Sequence, residues 1–463
     1  MRRMGGCFGG KETQAAQWAC IAALLASRNR CAVKLRLPRF TDMHVTGKRH
    51  PFDNAFDVAF DSTGKIEATR MIINGICGHS PDLSDAIVDR AMFHADNGYF
   101  LGDSDIVGHR LQTNMVSHKA YRGFGGPQGM IMGELIMDDI AAKLGKDPLE
   151  IRKLNLYKKG RDTTPYHQTV EQHILKDMIS QLEESGDYWA RKKAIKAFNA
   201  SSPIIKKGLA MTPVKYGISF TVQHLNQAGA LVHVYSDGSI HLNHGGTEMG
   251  QGLNTKIAQI VAHGFGVDFD AVSISATRTD KVPNTSPTAA SSGTDLNGMA
   301  ALNAVNTIKE RLINFISEHF EVDSQSIVFK DNLITFSKGE ISFSELANLA
   351  YMNRISLSST GYYATPKIHY DRAKGEGRPF FYYAHGVALS EVEVDTLTGE
   401  NTVTHVDILH DVGSSINPAL DIGQIEGAFV QGMGWLTTED LQWDDKGQLA
   451  SFGPANYKIP AIG

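Results

Sequence analysis

Residues 120–130 read AYRGFGGPQGM and join a glycine-rich loop to the start of a helix. The glycines let the backbone approach a ligand closely, and Pro127 suits the first position of a helix. Such a helix start presents N–H groups to an anion, and Arg122 adds a permanently charged guanidinium beside them. The stretch therefore predicts an anion-binding turn at a helix N-terminus.

Four further stretches place small residues before or at the start of an apolar helix: 5–12, 245–252, 285–294 and 422–427. Their amide and hydroxyl side chains add neutral donors to the backbone N–H groups. One such loop is as consistent with an ordinary turn as with a ligand. Five together favour a bulky, polar, anionic cofactor. None carries the P-loop lysine or a G-x-G-x-x-G between strand and helix, which disfavours a nucleoside triphosphate or a dinucleotide.

The length and composition are those of a globular protein with more than one domain. A chain of 463 residues exceeds the usual size of a single core, and the polar segment near residue 162 predicts domains 1–162 and 163–463. With 42% hydrophobic residues, 21% charged residues and a net charge of -5, it has no basic stripe for nucleic acid.

The cysteines and the one apolar run point to a reduced, cytoplasmic setting. The four cysteines form neither a C-x-x-C pair nor a zinc spacing, which argues against a metal finger, an iron–sulfur cluster and a dense disulfide framework. The apolar run 15–26 is too short to span a bilayer. We interpret residues 13–27 as a buried helix and expect no membrane partner.

Periodicity predicts a mixture of helices and strands. Residues 31–74 alternate as strands around the turn 62–64, and two hairpins occupy 230–244 and 391–409. Helices are predicted over the following ranges: 130–144, 148–156, 253–263, 295–316, 344–351 and 418–434.

Charged residues with two possible roles lie near helix ends. After Ser80-Pro81, Arg90 and His94 share the apolar face of a helix with Leu83 and Ile87. The spacing alone favours a pair satisfied within the core over a ligand site. By the same standard Glu12 alone indicates a first-turn residue that complements the helix dipole.

The ordered loops closely resemble the molybdenum-binding domains of the xanthine dehydrogenase family of molybdenum hydroxylases, which includes xanthine oxidase and aldehyde oxidase. The resemblance extends through nearly the whole chain. The motifs that carry it are the following: 4–13 (MGGCFGGKET), 121–128 (YRGFGGPQ), 226–229 (NQAG), 244–252 (HGGTEMGQG), 284–291 (NTSPTAAS) and 423–427 (GQIEG).

The resemblance implies a molybdenum-molybdopterin (pyranopterin) cofactor. It implies an α+β chain of two mixed α/β molybdopterin-binding domains, with the cofactor pocket at their interface. The residues that it places near the cofactor are Gly6, Phe8, Arg122, Met249, Gly250, Gln251, Ala290, Ser291, Thr294 and Gln424. It assigns no side chain as a metal ligand.

The same resemblance implies a purine substrate, xanthine or hypoxanthine, which is hydroxylated to urate. It places the purine between Phe124 and Phe220, although either ring alone would be read as core. It makes Glu12 and Arg90 the catalytic residues at the polar edge, where aldehyde-oxidising relatives usually have apolar residues. Further substrate-binding residues implied are Thr221, Ala289 and Ala290.

The resemblance also implies partners and missing pieces. Electrons leave through iron–sulfur clusters and FAD, for which the sequence has no ligands, so a partner subunit and a dimer of heterodimers are expected. The family's general-base glutamate follows a segment that resembles 457–463, and a strand and a glutamine precede residue 1, so both ends look truncated and little turnover is expected. Cys7 stands where relatives usually have glycine.

Two alternatives stay open at this point. One is a related hydroxylase acting on an aldehyde or another N-heterocycle. The other is a non-catalytic remnant that binds the cofactor.

Overall fold

The computed structural model describes residues 4–278, 280 and 285–461, so Asn284, the first residue of the NTSPTAAS motif, lies outside the described residues. The helices in chain order are α1 (Gln14–Asn29), α2 (Arg39–Val45), α3 (Ser84–His94), α4 (Gly126–Leu144), α5 (Pro148–Asn155), α6 (Leu175–Ser185), α7 (Tyr188–Ser201), α8 (Leu253–Phe265), α9 (Gly293–Phe320), α10 (Phe343–Met352) and α11 (Pro418–Leu436).

The strands in chain order are β1 (Phe52–Phe60), β2 (Ile66–Gly78), β3 (Asp103–Gln112), β4 (Ile205–Ile218), β5 (Gln227–Val234), β6 (Ile240–His244), β7 (Val272–Ile274), β8 (Val328–Lys330), β9 (Leu333–Phe336), β10 (Gly339–Ser342), β11 (Ser358–Ala364), β12 (His369–Asp371), β13 (Glu376–Arg378), β14 (Tyr382–Asp395) and β15 (Asn401–His410). This mixture of helices and sheets confirms the predicted α+β class.

Two compact units make up the chain, and each is assembled from separate segments. Unit 1 comprises Met1–Phe8, Val222–Ile368 and Ser414–Gln424. Unit 2 comprises Gly9–Thr221, His369–Gly413 and Ile425–Gly463. The continuous domains 1–162 and 163–463 stay a prediction.

Unit 1 is built on a four-stranded sheet in the order β11-β5-β6-β7. The β5–β6 hairpin closes at Asp237-Gly238, as predicted, with Gly238 at a φ of 87°. Apolar side chains of α8, α9 and α10 form the core with the sheet. The long helix α9 contacts β5 and β11, so the loop that leads into α9 lies at one end of this core.

Unit 2 contains two three-stranded sheets in the orders β1-β2-β3 and β15-β14-β4. The predicted hairpin around Gly399 joins β14 to β15. One core contains side chains from β2, α3, α4, α6 and β4. A second, smaller cluster is aromatic and includes Phe93 and Phe380.

Glycines bring α3 and α4 into unusually close contact. A Cβ added to Gly125 would lie 2.0 Å from the carbonyl oxygen of Ile87, and one added to Gly129 would lie 2.0 Å from that of Ala91. Real side chains do not tolerate such distances, so these positions admit only glycine at this helix separation. The glycines of the opening stretch therefore serve packing as well as the turn.

Three parts of the chain differ from the sequence-based expectations or add to them. Arg39–Val45, in the region read as strands, is helix α2, which begins directly after Pro38. The predicted helix 418–434 forms as α11, and residues 422–427, which were also interpreted as a helix start, lie inside it, so their N–H groups belong to the helix interior. No helix had been predicted for the segments that form α6 and α7.

Helix α1 forms where it was predicted but is not buried. None of its residues is buried in the structure, and Leu24 is 59% exposed. Its apolar composition had suggested a core helix, yet burial depends on what packs against a helix as well as on its sequence. Among the described residues, no helix combines the length and apolar character needed to cross a membrane.

Candidate functional site

Two of the predicted loops meet within unit 1. The Thr247 N–H donates a hydrogen bond of 2.8 Å to the hydroxyl of Thr288. A Cβ on Gly246 would lie 2.9 Å from the side-chain nitrogen of Asn297, in the first turns of α9. The 245–252 and 285–294 loops therefore line the same part of unit 1.

Glu248 fills the helix N-terminus that the sequence predicts for an anion. Its carboxylate accepts the N–H of Gly250 at 2.8 Å, of Gly252 at 3.1 Å and of Asn254 at 3.0 Å. Gly252 is the cap residue of α8 and Asn254 its second residue, so two of these N–H groups belong to the helix N-terminus, which a negative charge stabilises. The amides here thus bind a carboxylate of their own loop. Sequence reasoning missed this residue, although a glutamate four to six residues before a helix turn is a visible signal.

The loop side chains of this region are also engaged with their own backbone. The Gln251 amide oxygen accepts the N–H of Met249 at 2.6 Å, and its amide nitrogen donates to the carbonyl of Thr247 at 2.9 Å. A Cβ on Gly250 would meet nothing within 4 Å, and its φ of 102° is one that other residues rarely adopt. The Gln251 side chain therefore fixes the backbone at the tip of the loop, and the side next to Gly250 is open.

The start of α9 carries backbone strain at two predicted residues. Ala290 and Ser291 have φ angles of 59° and 57°. Left-handed conformations cost non-glycine residues about 1–3 kcal/mol each and occur preferentially at functional sites. Ala289 accepts the N–H and hydroxyl of Ser292, which closes the turn, while Ser291 is exposed and Thr294 lies in the first turn of α9.

Gln424 lies on α11 beside α8. Lys256 of α8 forms an ion pair with Asp421, and Asn417 donates to the amide oxygen of Gln259 at 3.1 Å. These contacts fix the first turns of α11 against α8. Gln424 is consequently presented from the interior of a helix, as the predicted helix 418–434 implies, and not from a loop at the helix start.

The loop around Phe8 is held by left-handed residues. Phe8 has a φ of 54° and is 46% exposed, and a Cβ on Gly6 would lie 2.8 Å from its ring. The positive φ angles here belong to Gly6, Phe8 and Gly9, and Cys7 is not among them. Cys7 is buried, so this backbone accommodates its side chain.

The predicted aromatic pair forms within unit 2. The ring centroids of Phe124 and Phe220 are 5.7 Å apart, and the ring planes are inclined by 55°. Both rings are partly exposed, and Phe124 has a φ of 52°. Phe220 and Thr221 follow the end of β4 at Ile218. The pair presents aromatic surface suited to a flat ring system.

Arg90 is buried and bonded to the backbone that leads to Phe220. Its guanidinium donates to the carbonyl of Gly217 at 2.9 Å and to that of Ser219. It lies 5.1 Å from the ring centroids of both Tyr216 and Phe380. With a side chain that is 1% exposed, it matches the alternative of a charge satisfied within the core. Its contact with a substrate stays a prediction.

Glu12 lies outside the first turn of α1, which begins after the cap residue Thr13. Residue Glu12 is exposed overall, but the protein around its carboxylate partly removes it from water, and this desolvation, and next the negative charge of Asp82, raise the pKa of Glu12 to about 7. Asp82 is itself held by Lys119 at 3.1 Å. A carboxyl that changes charge near neutral pH fits a polar recognition role better than a dipole-complementing role.

Arg122 is held from both ends within unit 2. Its guanidinium donates to the amide oxygen of Gln431 at 3.2 Å, and its carbonyl accepts from Arg49 at 2.9 Å. The Arg49 guanidinium lies 4.4 Å from the ring centroid of Tyr121 and 4.8 Å from that of Trp435. Sequence reasoning missed Arg49, since nothing in the local pattern separates it from a surface arginine.

The predicted site residues therefore fall into two sets. Phe124, Phe220, Thr221, Arg90, Glu12 and Arg122 lie in unit 2. The set in unit 1 comprises Gly6, Phe8, Met249, Gly250, Gln251, Ala289, Ala290, Ser291, Thr294 and Gln424.

Comparison with known families gives two matches over most of the chain. A family model described as a molybdopterin cofactor-binding domain matches residues 1–156. A second model with the same description matches residues 181–463.

Similar proteins of known identity include xanthine dehydrogenases from distant organisms. The chain is 47% identical to xanthine dehydrogenase/oxidase of Gallus gallus over 463 residues, and 44% identical to xanthine dehydrogenase of Dictyostelium discoideum over 465 residues. Each match covers 100% of this chain and 33% of the relative. The chain thus spans about a third of the length of these relatives.

Solved structures show the same fold. Quinoline 2-oxidoreductase from Pseudomonas putida matches with a TM-score of 0.88 and 23% identity, over 99% of this chain and 59% of that one. Aldehyde oxidoreductase from Desulfovibrio desulfuricans matches with a TM-score of 0.83 and 26% identity, over 99% of this chain and 47% of that one.

The raised pKa of Glu12 predicts a pH-dependent gain in stability for Glu12→Gln. A folded pKa of about 7, above the ordinary 4.5, means that the folded state binds the proton more tightly. The stabilising contribution is complete below pH 4.5 and is lost as pH rises through 7. We expect the thermal midpoint of Glu12→Gln to exceed that of the parent by more at pH 8 than at pH 5.

Glu184→Gln, at an exposed position of α6, is the control and should show no such pH dependence. An equal difference between Glu12→Gln and the parent at both pH values would contradict the environment assigned to Glu12.

Proposed function

Because the chain belongs to the molybdopterin cofactor-binding domain family, we propose that it is the molybdenum-binding part of a purine hydroxylase that oxidises xanthine or hypoxanthine to urate. The observation that carries the proposal is the aromatic pair of Phe124 and Phe220 in the same unit as Glu12 and Arg90. The two curated relatives described above support the same substrate class by their names.

The loops of unit 1 have the chemistry expected of a pterin site. Two buried polar atoms in this region, Thr285 Oγ1 and Asn297 Oδ1, have no hydrogen-bond partner among the residues that the structure describes. Open space next to Gly250 and the exposed hydroxyl of Ser291 add room and a further donor. Neutral amides and hydroxyls suit the heteroatom-rich edge of a pterin.

We propose specific holders for the cofactor. Gln251, Ser291, Thr294 and Gln424 contribute side-chain hydrogen bonds, and Gly6, Phe8, Met249, Gly250 and Ala290 contribute backbone and shape. Arg122 is a cationic contact for the same group. When bound, the cofactor supplies the redox centre that accepts the electrons removed from the substrate.

The substrate is proposed to bind through unit 2. A purine is flat and aromatic, and rings at an inclination of 55° offer it one face and one edge. Thr221 adds a hydroxyl beside Phe220, and Ala289 and Ala290 are assigned to the substrate as small residues that leave room. The two phenylalanines fix the plane of the ring system, and the polar groups fix its rotation within that plane.

Glu12 and Arg90 are proposed to read the polar edge of the purine. With a pKa of about 7, Glu12 exists in both charge forms at neutral pH, so it can accept a hydrogen bond from a ring N–H or hold a proton at a ring nitrogen. The Arg90 cation can stabilise negative charge that develops on a purine carbonyl oxygen. Since xanthine and hypoxanthine carry such N–H and carbonyl groups, this pair favours them over a simple aldehyde.

The rest of the electron path is proposed to lie elsewhere. We infer that iron–sulfur clusters and FAD on a partner subunit take the electrons, in a cytoplasmic dimer of heterodimers. The 463-residue chain alone is therefore expected to turn over little.

A substrate panel tests the proposal in the complete enzyme that carries this chain with its electron-transfer components. We expect purine oxidation to exceed aldehyde oxidation. Phe124→Leu should raise the purine KM by about threefold to tenfold, because aromatic stacking is lost. Glu12→Ala should lower kcat/KM for the purine by about tenfold or more, because hydrogen bonds to a charged group are lost.

Phe336→Leu is the matched control, since Phe336 stacks on Phe320 at 4.8 Å within unit 1. It should leave the purine KM unchanged. Normal purine kinetics in Phe124→Leu and Glu12→Ala would reject the substrate assignment, and preference for an aldehyde in the parent enzyme would favour the aldehyde hydroxylase instead.

The self-capped loop at α8 predicts a specific loss of cofactor in Glu248→Gln. Removing the charge that binds three N–H groups should cost about 1 kcal/mol of stability and loosen the loop. Molybdenum per chain, measured by elemental analysis after expression in a host that makes the cofactor, should fall below half of the parent value.

Glu345→Gln provides the control, because Glu345 caps α10 of the same unit through Ser342. It should cost similar stability and leave the molybdenum content intact. Equal molybdenum in both variants would contradict a cofactor role for the 245–252 loop.

A further inference from the structure

One edge of β4 is satisfied by side chains and not by a strand. The strand pairs with β14 along Ile205–Ile218 and is the last strand in its sheet. On its other side it lies against α7 near Lys207, and against α3 and the residues that follow α3 near its C-terminal end. A strand edge with unpaired N–H and C=O groups is costly when buried, so these groups need partners.

Three residues supply partners to the 213–217 part of this edge, and we call Arg90, His94 and Asn97 the edge clamp. Farther along the same edge, the Asn199 side chain of α7 bonds the N–H and the carbonyl of Lys207. The Asn97 amide donates to the carbonyl of Pro213 at 2.8 Å, and its amide oxygen accepts the N–H of Lys215 at 3.0 Å. His94 Nε2 accepts the N–H of Gly217 at 2.9 Å, and the Arg90 guanidinium donates to the carbonyl of Gly217 at 2.9 Å. Arg90 and His94 lie one turn apart on α3, Asn97 lies in the turn that follows the helix, and the alternation 213, 215, 217 follows a strand edge.

His94 is the central member of the clamp, and both of its nitrogens are occupied. Nε2 accepts from Gly217, so the ring proton lies on Nδ1 and is donated to the carbonyl of Arg90 at 2.9 Å. Burial, and next the positive charges of Arg90 and Lys215, lower the pKa of His94 well below its ordinary value. The imidazole thus stays neutral, and with both nitrogens bound to backbone it is not a proton carrier.

His94 also contacts the element that leads to Phe124. Its ring centroid lies 4.7 Å from that of Tyr216, and the Tyr216 hydroxyl donates to the carbonyl of Gly123 at 2.9 Å. One residue therefore links to both aromatic positions: through Gly217 to the segment that ends at Phe220, and through Tyr216 to the loop that holds Phe124.

We propose that His94 is a positioning residue that fixes the distance and inclination of Phe124 and Phe220 through the N–H of Gly217. It does not touch the substrate. This inference rests on the proposed function only in so far as the aromatic pair binds a purine; the link from His94 to Gly217 is a property of the fold.

Three variants in the complete, cofactor-loaded enzyme test the inference. His94→Gln keeps an acceptor that reaches Gly217, His94→Phe keeps the ring volume and removes the acceptor, and His94→Asn is polar but too short. We expect faster amide hydrogen exchange over residues 213–221 in His94→Phe and His94→Asn, with the rest of unit 2 unchanged.

The same two variants should raise the purine KM about tenfold, as expected for a buried N–H left without a partner, with kcat changed less than twofold. His94→Gln should restore both readouts to within twofold of the parent. His385→Phe removes another buried imidazole of unit 2 and should leave the purine KM unchanged.

The outcomes separate the two levels of the proposal. Parent-like exchange and KM in His94→Phe, or equal damage in His94→Gln, would overturn the positioning role. If His94→Phe does not fold, His94→Asn against His94→Gln decides. Exchange changes as expected in an enzyme that oxidises no purine would leave the clamp standing and reject the proposed function.

Discussion

The side-chain partnership between α3 and the free edge of β4 is the interaction on which the arrangement of unit 2 depends. A buried strand edge ordinarily requires another strand. Here helix side chains replace it, and the strand they fix continues directly into Phe220. The contact requires α3 in a defined place, which the glycines of α4 allow by letting the helix backbones approach. The packing of α3 against α4 and the position of the aromatic pair therefore depend on each other.

This partnership also explains a charge at the centre of the unit. Lys215 and Asp96 form an ion pair with both side chains 1% exposed, and the Tyr157 hydroxyl donates to Asp96 at 2.6 Å. Buried charges persist only when they are paired and hydrogen-bonded. The pair adjoins the edge clamp, because Lys215 lies two residues before Gly217 on the same edge of β4. It supports the clamp and keeps a second positive charge near His94, which favours the neutral imidazole.

Much of the fold follows from local sequence. Both hairpins, the long helices and the burial of Arg90 and His94 on one face of α3 were predictable, because turn residues and periodicity are local signals. The exposure of α1 was not predictable, since it depends on which elements pack against the helix. Composition reveals an apolar helix but not what covers it.

The site shows the same division. Glycine-rich loops are visible in the sequence. The left-handed φ angles at Phe8, Phe124, Ala290 and Ser291 show that non-glycine residues in these loops are strained as well. Arg49 was missed because its partner, the carbonyl of Arg122, is brought close only by the fold, whereas Glu248 bonds N–H groups of its own loop and left a signal in the sequence. The edge clamp is a clearer case: the helix spacing of Arg90 and His94 was visible, but nothing in the sequence identifies Asn97 as their neighbour or the strand that they face.

The most direct measurement is the structure of the complete, cofactor-loaded enzyme with a purine bound. We expect the purine ring system to contact both Phe124 and Phe220, with its polar edge directed to Glu12 and Arg90, and the hydrogen bond from Gly217 to His94 retained. A purine bound away from these two rings, or an aromatic pair that binds no purine at all, would contradict the assignment of this chain to purine hydroxylation.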